Sequence, residues 1–255
     1  NHSGYVPEGE ERFGDGQSVD RKEAYDLGYD APPGAPRRPL IGQNQWPAMP
    51  GFREDVAAYY VEAIALSQVL FRGFALALGL PEDTLAARAK TPPSQLRMIH
   101  YPHDANPLNQ AQGIGSHTDY ECFTILLPTA PGLEVINGAG EWIDAPVLPG
   151  AFVVNIGDML EVISGGRFVA TRHRVRKVRE ERYSFPLFCA LDYDEVIRPL
   201  FGGDGDYRAL DCGDHIYAQT QQTFTYLKNR LASGADRLPE GARLVDSFGR
   251  REVMP

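Results

Sequence analysis

A chain of 255 residues with 43% hydrophobic content is long enough to bury a sizeable core and is expected to form one domain. Its formal net charge of −9 argues against a nucleic-acid partner or an anionic membrane surface, both of which recruit basic footprints. No apolar run is expected to reach the roughly 18 residues that span a bilayer, and Asn1 to Glu11 have neither the basic start nor the apolar stretch of a secretory leader.

Residues 1–50 are rich in Gly, Pro and charge, punctuated by Pro32, Pro33, Pro36, Pro39, Pro47 and Pro50. Proline removes a backbone donor and restricts the residue before it, so the expectation here is an irregular arm, not a sheet. Tyr5, Phe13, Tyr25, Tyr29 and Trp46 imply that the arm packs against something. From Glu54 to Leu78 the apolar residues Val56, Tyr60, Ala63, Leu70 and Phe74 recur near helical spacing, and Gly79-Leu80-Pro81 marks a stop. A helix of about 25 residues, roughly 37 Å long, with so few polar positions should lie on a broad apolar surface such as the outside of a sheet. Glu82 to Lys90 reads as a second, short helix, completing a helical support over 51–93.

Beyond Pro93 come strand candidates at 95–101, 117–127, 133–136, 150–156, 167–178 and 182–191. Between them lie breaks such as Pro131-Gly132, Asn137-Gly138, Pro149-Gly150 and Gly165-Gly166. Many short strands with turn signals between them indicate a sandwich or barrel. This core covers 94–195; a final helix over Asp214 to Leu231 and a mixed-charge tail occupy 196–255. The predicted class is mainly β with flanking helices. Cys122, Cys189 and Cys212 fit neither a disulfide framework nor a zinc pattern, so reduced thiols in a cytoplasmic protein are expected.

The first chemical signal is His117-Thr118-Asp119. On a strand, alternate side chains share a face, so the imidazole and carboxylate would project together. Such a pair arises by chance about 0.4 times in a chain of this kind, so alone it says little. Downstream, His173 lies in another strand candidate, and Arg182 and Ser184 share a face on the next. Two imidazoles and one carboxylate can occupy one face of an octahedron, which suits non-haem Fe(II) and leaves positions open.

At this point the sequence resembles the isopenicillin N synthase-like branch of the Fe(II)/2-oxoglutarate oxygenases. The resemblance rests on Leu96-Arg97-Met98-Ile99-His100-Tyr101-Pro102, Gly115-Ser116-His117-Thr118-Asp119-Tyr120 and Pro131-Gly132-Leu133-Glu134-Val135. It continues through Gly140-Glu141-Trp142, the run from Pro149 to Asp158, Gly166-Arg167-Phe168, His173-Arg174-Val175 and Arg182-Tyr183-Ser184. It is dense over about 94–195 and weaker over 1–93; the family's N-terminal strand-and-helix segment would lie ahead of Asn1. The resemblance implies a double-stranded β-helix (jelly-roll) core with a catalytic iron held by His117, Asp119 and His173. It assigns Arg182 and Ser184 to the distal carboxylate of 2-oxoglutarate, with the phenol of Tyr101 reaching the same co-substrate, and O2 as the second co-substrate. The activity implied is 2-oxoglutarate decarboxylation coupled to hydroxylation, desaturation or cyclisation of a small molecule. The protein is expected to be a monomer or weak homo-oligomer.

Other residues keep two readings. Arg97 shares the parity of Tyr101 and, buried, needs an anionic partner: either a substrate carboxylate, which would make the substrate a carboxylate-bearing one, or a core acid. Phe123 either lines the pocket or packs in the core. Asn155 either hydrogen-bonds near the metal ligands or caps the turn before Gly157. His100, His103 and His215 read as surface or packing histidines. The basic run from Arg172 to Arg179 reads as a solvated face. Three rivals to the main reading remain. A 2-oxoglutarate-independent Fe(II) oxidase would keep the same triad and Arg-x-Ser pair. A zinc hydrolase would need a general base of the His-Glu-x-x-His kind, and a non-catalytic jelly-roll binder would be expected to have lost a ligand.

Overall fold

A computed structural model describes residues 2–11, 20–35, 38–103, 112–201, 207–243 and 248. Its strands are β1 Gly4–Val6, β2 Glu23–Gly28, β3 Gln95–Tyr101, β4 Ile114–His117, β5 Phe123–Pro128 and β6 Leu133–Ile136. They continue with β7 Trp142–Asp144, β8 Val153–Ile156, β9 His173–Val175, β10 Arg182–Cys189, β11 Val196–Ile197 and β12 Leu210–Asp211. The helices are α1 Phe52–Ala77, α2 Asp83–Ala86, α3 Asp158–Ile163, α4 Cys212–Thr223 and α5 Thr225–Ala232.

A six-stranded sheet, β1-β2-β3-β10-β5-β8, faces a four-stranded one, β4-β9-β6-β7. The last four strands of the first sheet and the four of the second make the double-stranded β-helix. Alternation along the strands sorts the side chains. Leu96, Leu187, Cys189, Phe123 and Ile125 turn outward into the apolar layer under α1. Tyr101, Ser184, Thr124 and Asn155 turn into the barrel. The register Phe188↔Gln95, Phe188↔Thr124 and Thr124↔Asn155 sets one inward row across four strands.

Helix α1 begins with Glu54 and Asp55 in its first turn, where carboxylates suit the positive end of the helix dipole. It ends in a Schellman arrangement, with Leu80 N–H donating to Ala75 O and Gly79 N–H to Leu76 O. Gly79 takes the left-handed φ of 75° that this motif requires. Ala63, Ser67, Phe71 and Ala75 form its buried face. By length and composition α1 is apolar enough to cross a bilayer, contrary to expectation. Its Val61, Val69 and Leu76 are exposed, while its buried face is spent on the sheet.

Several expectations fail for identifiable reasons. The arm over 1–50 is not irregular throughout: β2 pairs with β3 from Glu23↔His100 to Gly28↔Gln95, and β1 pairs with β2. The prolines flank this strand and spare Glu23–Gly28, whose own buried and part-buried pattern is that of a strand. The strand expected over 117–127 is two, because the chain turns between His117 and Phe123. The one expected over 167–178 shrinks to β9, and the helix expected over 82–90 to α2. The final helix breaks at Phe224, which is extended (φ −86°, ψ 130°) and bridges to Glu11. Strand β7 and helix α3 were not foreseen. Of the expected tail, 244–247 and 249–255 lie outside the described residues, as does Phe13.

Candidate metal centre and its two cavities

His117 ends β4, His173 opens β9, and the two residues are register partners on neighbouring strands. Asp119 lies just past β4, in the turn. Ligand atoms of the three all lie within 4.8 Å of one another. His117 Nε2 is 3.8 Å and His173 Nε2 3.4 Å from Asp119 Oδ1. Each Nδ1 faces a carbonyl two residues upstream, Gly115 O at 2.8 Å and Thr171 O at 3.1 Å. A carbonyl only accepts, so both Nδ1 atoms carry the proton and both Nε2 lone pairs point at the common centre.

Burial, followed by the neighbouring His173, pushes the His117 imidazole down to about 3. Burial pushes Asp119 up, but His173 outweighs it and holds the carboxyl at about 2. For His173 burial pulls down and Asp119 prevails, giving a net upward shift. A divalent cation at this centre would favour neutral imidazoles and an ionised carboxylate, as ligation needs. Two imidazoles, one carboxylate and no thiolate form a donor set that fits Fe(II).

Two cavities meet at these residues. His117 and Asp119 line both, and Phe188 forms part of each wall. The smaller, about 390 Å³ including space open to solvent, runs into the barrel past Tyr101, Asn155 and His173 to Arg182 and Ser184. Arg182 is fully buried. Its Nε donates to Ala130 O at 3.1 Å, its guanidinium carbon sits 4.6 Å from the centre of the Tyr101 ring, and its Nη1 has no partner. An orphaned guanidinium nitrogen is costly, and a carboxylate entering this cavity would satisfy it. The chemistry of this cavity therefore suits a carboxylate, and Ser184 and Tyr101 line it beside Arg182.

The larger cavity, about 760 Å³ including space open to solvent, is lined by Glu11, Gln95, Arg97, Glu121, Thr220 and Phe224 among others. Here, of the two readings of Arg97, the core-acid one is what the structure shows. Its Nε and Nη2 each donate at 2.7 Å to the two oxygens of Asp26. Its Nη1 lies 2.8 Å from Glu11, which Lys22 also contacts. The planar fork is filled by core acids, and the case for a carboxylate-bearing substrate falls with it. Of the two readings of Phe123, the core one is what the structure shows. It lies in the core, 4.8 Å and 5.0 Å between ring centres from Phe71 and Phe74. The turn after Asp119 resets the strand parity, so Thr124, not Phe123, faces inward. Asn155 does line the inner cavity. His100 lies between Glu23 and Glu181, away from the site.

Three residues at the site escaped sequence reasoning. Thr124 Oγ1 donates to Asp119 Oδ2 at 2.6 Å. Glu121 is buried among the lining groups; burial, with Asp119 second, pushes its carboxyl up to about 8. Gly157 lies so close that a Cβ there would meet Glu121 O at 2.3 Å. Its amide and those of Asp158 and Met159 donate to the carbonyls of Cys122, Asp119 and Glu121, so the start of α3 holds the ligand-bearing turn in place. The Gly-Asp pair was the only signal in the sequence.

Comparison with known proteins agrees with this geometry. The model of the 2OG-Fe(II) oxygenase superfamily matches residues 92–191. The 2-oxoglutarate-dependent dioxygenase tropC of Talaromyces stipitatus is 33% identical over 86% of this chain and 70% of its own length. Homoarginine-6-hydroxylase 2-ODD-233 of Oryza sativa is 34% identical over 73% of this chain, which spans 61% of that relative. A crystal structure of a Caulobacter crescentus protein assigned to the 2OG-Fe(II) oxygenase family superposes with a TM-score of 0.76 at 29% identity, over 86% of this chain and 75% of that one. With a jelly-roll core, an Fe(II)-compatible triad and relatives of this kind, the chain belongs to the 2OG-Fe(II) oxygenase superfamily.

Proposed function

We propose that this protein is a 2-oxoglutarate-dependent Fe(II) oxygenase acting on a small molecule. His117, Asp119 and His173 hold the metal, Arg182, Ser184 and Tyr101 hold the far end of 2-oxoglutarate, and the larger cavity receives the substrate. The observation that carries the reading is that the triad stands where two cavities meet and that one of them ends on the unpartnered Nη1 of Arg182.

When bound, Fe(II) and 2-oxoglutarate supply the oxidising chemistry that couples decarboxylation to attack on a substrate C–H bond. The chain's own residues do the positioning. Ala130 O fixes the Arg182 guanidinium, so that its planar edge meets a carboxylate with little freedom left to lose. Ile99, Leu126, Leu133 and Val175 line the inner cavity and keep water from the co-substrate. Thr124 occupies Asp119 Oδ2, leaving Oδ1 for the metal.

Anaerobic titration with Fe(II) and 2-oxoglutarate tests the reading. A visible metal-to-ligand charge-transfer band should appear only when both are present. Arg182→Ala should weaken 2-oxoglutarate binding by roughly a hundredfold, the scale of a lost bidentate charged contact. Succinate formed under air separates this activity from that of a 2-oxoglutarate-independent oxidase. A band indifferent to Arg182→Ala sinks the assignment of the inner cavity.

A further inference from the structure

Three carboxyl groups line the larger cavity: Glu11, Asp119 and Glu121. Glu11 is paired with Arg97 and Lys22. Asp119 faces the two imidazoles of the metal centre. Glu121, only 6% exposed, has no ion pair with any described residue. Arg97 on the same wall cannot serve it, since its donors are turned to Asp26 and Glu11.

Charge accounting reaches the same place. With the ligands proposed above, Fe(II), 2-oxoglutarate, Asp119 and Arg182 together carry no net charge. Arg97 and Lys22 balance Asp26 and Glu11. Of the three acids that line the cavity, Glu121 is the one left without a cation. A buried carboxyl without a cation is costly, and a ligand that brings the missing charge relieves that cost. Around it the wall is largely apolar, with Ile41, Phe188, Ile216 and Phe224, which suits a hydrocarbon stem.

We propose that Glu121 is the polar anchor of the substrate, and that the substrate carries a cationic nitrogen, an ammonium or guanidinium, on an aliphatic stem. Glu121 holds the cation while the stem brings the reacting carbon towards His117 and Asp119. This rests on the oxygenase reading above, in which the larger cavity is the substrate's.

The test is calorimetric binding to the anaerobic protein, with and without Fe(II) and 2-oxoglutarate. The probes are a panel of amines and guanidines that includes L-arginine, agmatine and L-lysine, each measured beside a neutral isostere such as L-citrulline for L-arginine. At least one cation should bind tenfold or more tighter than its neutral isostere. Glu121→Gln should remove that preference and Glu121→Asp should restore part of it, with circular dichroism reporting the fold. A panel in which no cation outbinds its isostere overturns the proposal, as does a preference that survives in Glu121→Gln. Should that variant fail to fold, the wild-type contrast decides alone. Absence of the charge-transfer band in the wild-type protein counts against the metal-site reading instead, and the binding contrast still judges Glu121.

Discussion

Thr124 Oγ1 donates to Asp119 Oδ2 at 2.6 Å, and this one bond ties the metal-binding turn to the first inward position of β5. Asp119 itself sits on no strand. It owes its aim to a hydroxyl on the neighbouring strand and to the amides at the start of α3. The triad is therefore built from two strand ends and a turn clamped from both sides.

Removing the hydroxyl while keeping the shape should expose this dependence. Thr124→Val should lower Fe(II) affinity by roughly tenfold to a hundredfold, the usual range for partners that orient a metal ligand, with little change in the thermal midpoint. Anaerobic Fe(II) titration read by the 2-oxoglutarate charge-transfer band measures it. Unchanged Fe(II) affinity would show that Asp119 is held well enough by its backbone alone.

The clamp on the other side predicts the effect of one methyl group. A Cβ on Gly157 would lie 2.3 Å from Glu121 O and 3.1 Å from Asp119 O, both backbone atoms that cannot yield without moving the turn. Gly157→Ala should cost about 1–3 kcal/mol in stability and weaken Fe(II) binding at least tenfold. The control is Gly73→Ala inside α1, where nothing lies within 4 Å of the added atom; there helix propensity should raise stability by up to about 1 kcal/mol. Equal effects at the two glycines would remove the clamp from the account.

The parts of this site that were legible in the sequence are those fixed by local spacing and by family motif. His117, Asp119, His173, Arg182, Ser184 and Tyr101 belong to that group, and all lie along the inner cavity. Arg97 was read correctly as inward and buried, but its partners Asp26 and Glu11 come from a distant stretch of chain, 71 and 86 residues away. No local pattern names them. Strand β2 was hidden because the composition of 1–50 was averaged over prolines that lie outside Glu23–Gly28. Phe123 kept two readings because a two-residue period carried through the turn, where it does not hold, aims it at the pocket, while its residue type favours the core. Glu121 was invisible for a different reason: an unpaired acid is defined by what surrounds it.

The core place of Phe123 can be checked by separating stability from ligand binding. It packs edge-on against Phe71 and touches neither cavity wall. Phe123→Ala should destabilise the fold by about 3–5 kcal/mol, read from the urea midpoint. Fe(II) and 2-oxoglutarate binding by the folded fraction should stay within about twofold of wild type, since the ring packs on the other face of β5 from Thr124 and lines neither cavity. A tenfold change in either affinity would return Phe123 to the pocket.

The buried cluster of Arg97, Glu11, Asp26 and Lys22 predicts the acid limb of stability. Burial pushes the Glu11 carboxyl up, but the Arg97 guanidinium and the Lys22 ammonium outweigh it and hold it at about 2, against an ordinary 4.5. The unfolded chain thus takes up this proton before the folded one. The stabilisation is complete above about pH 4.5 and is lost as pH falls towards 2, an effect of about 3 kcal/mol for the single group. Glu11→Gln has no proton to gain there. Its thermal midpoint should start lower at pH 7, because Arg97 and Lys22 lose a charged partner, and should then fall less steeply than that of wild type between pH 4.5 and 2. Parallel curves for the two proteins would mean that Glu11 is not held ionised by the cluster, and that the N-terminal arm is fastened to β3 mainly by Asp26 and the β2 ladder.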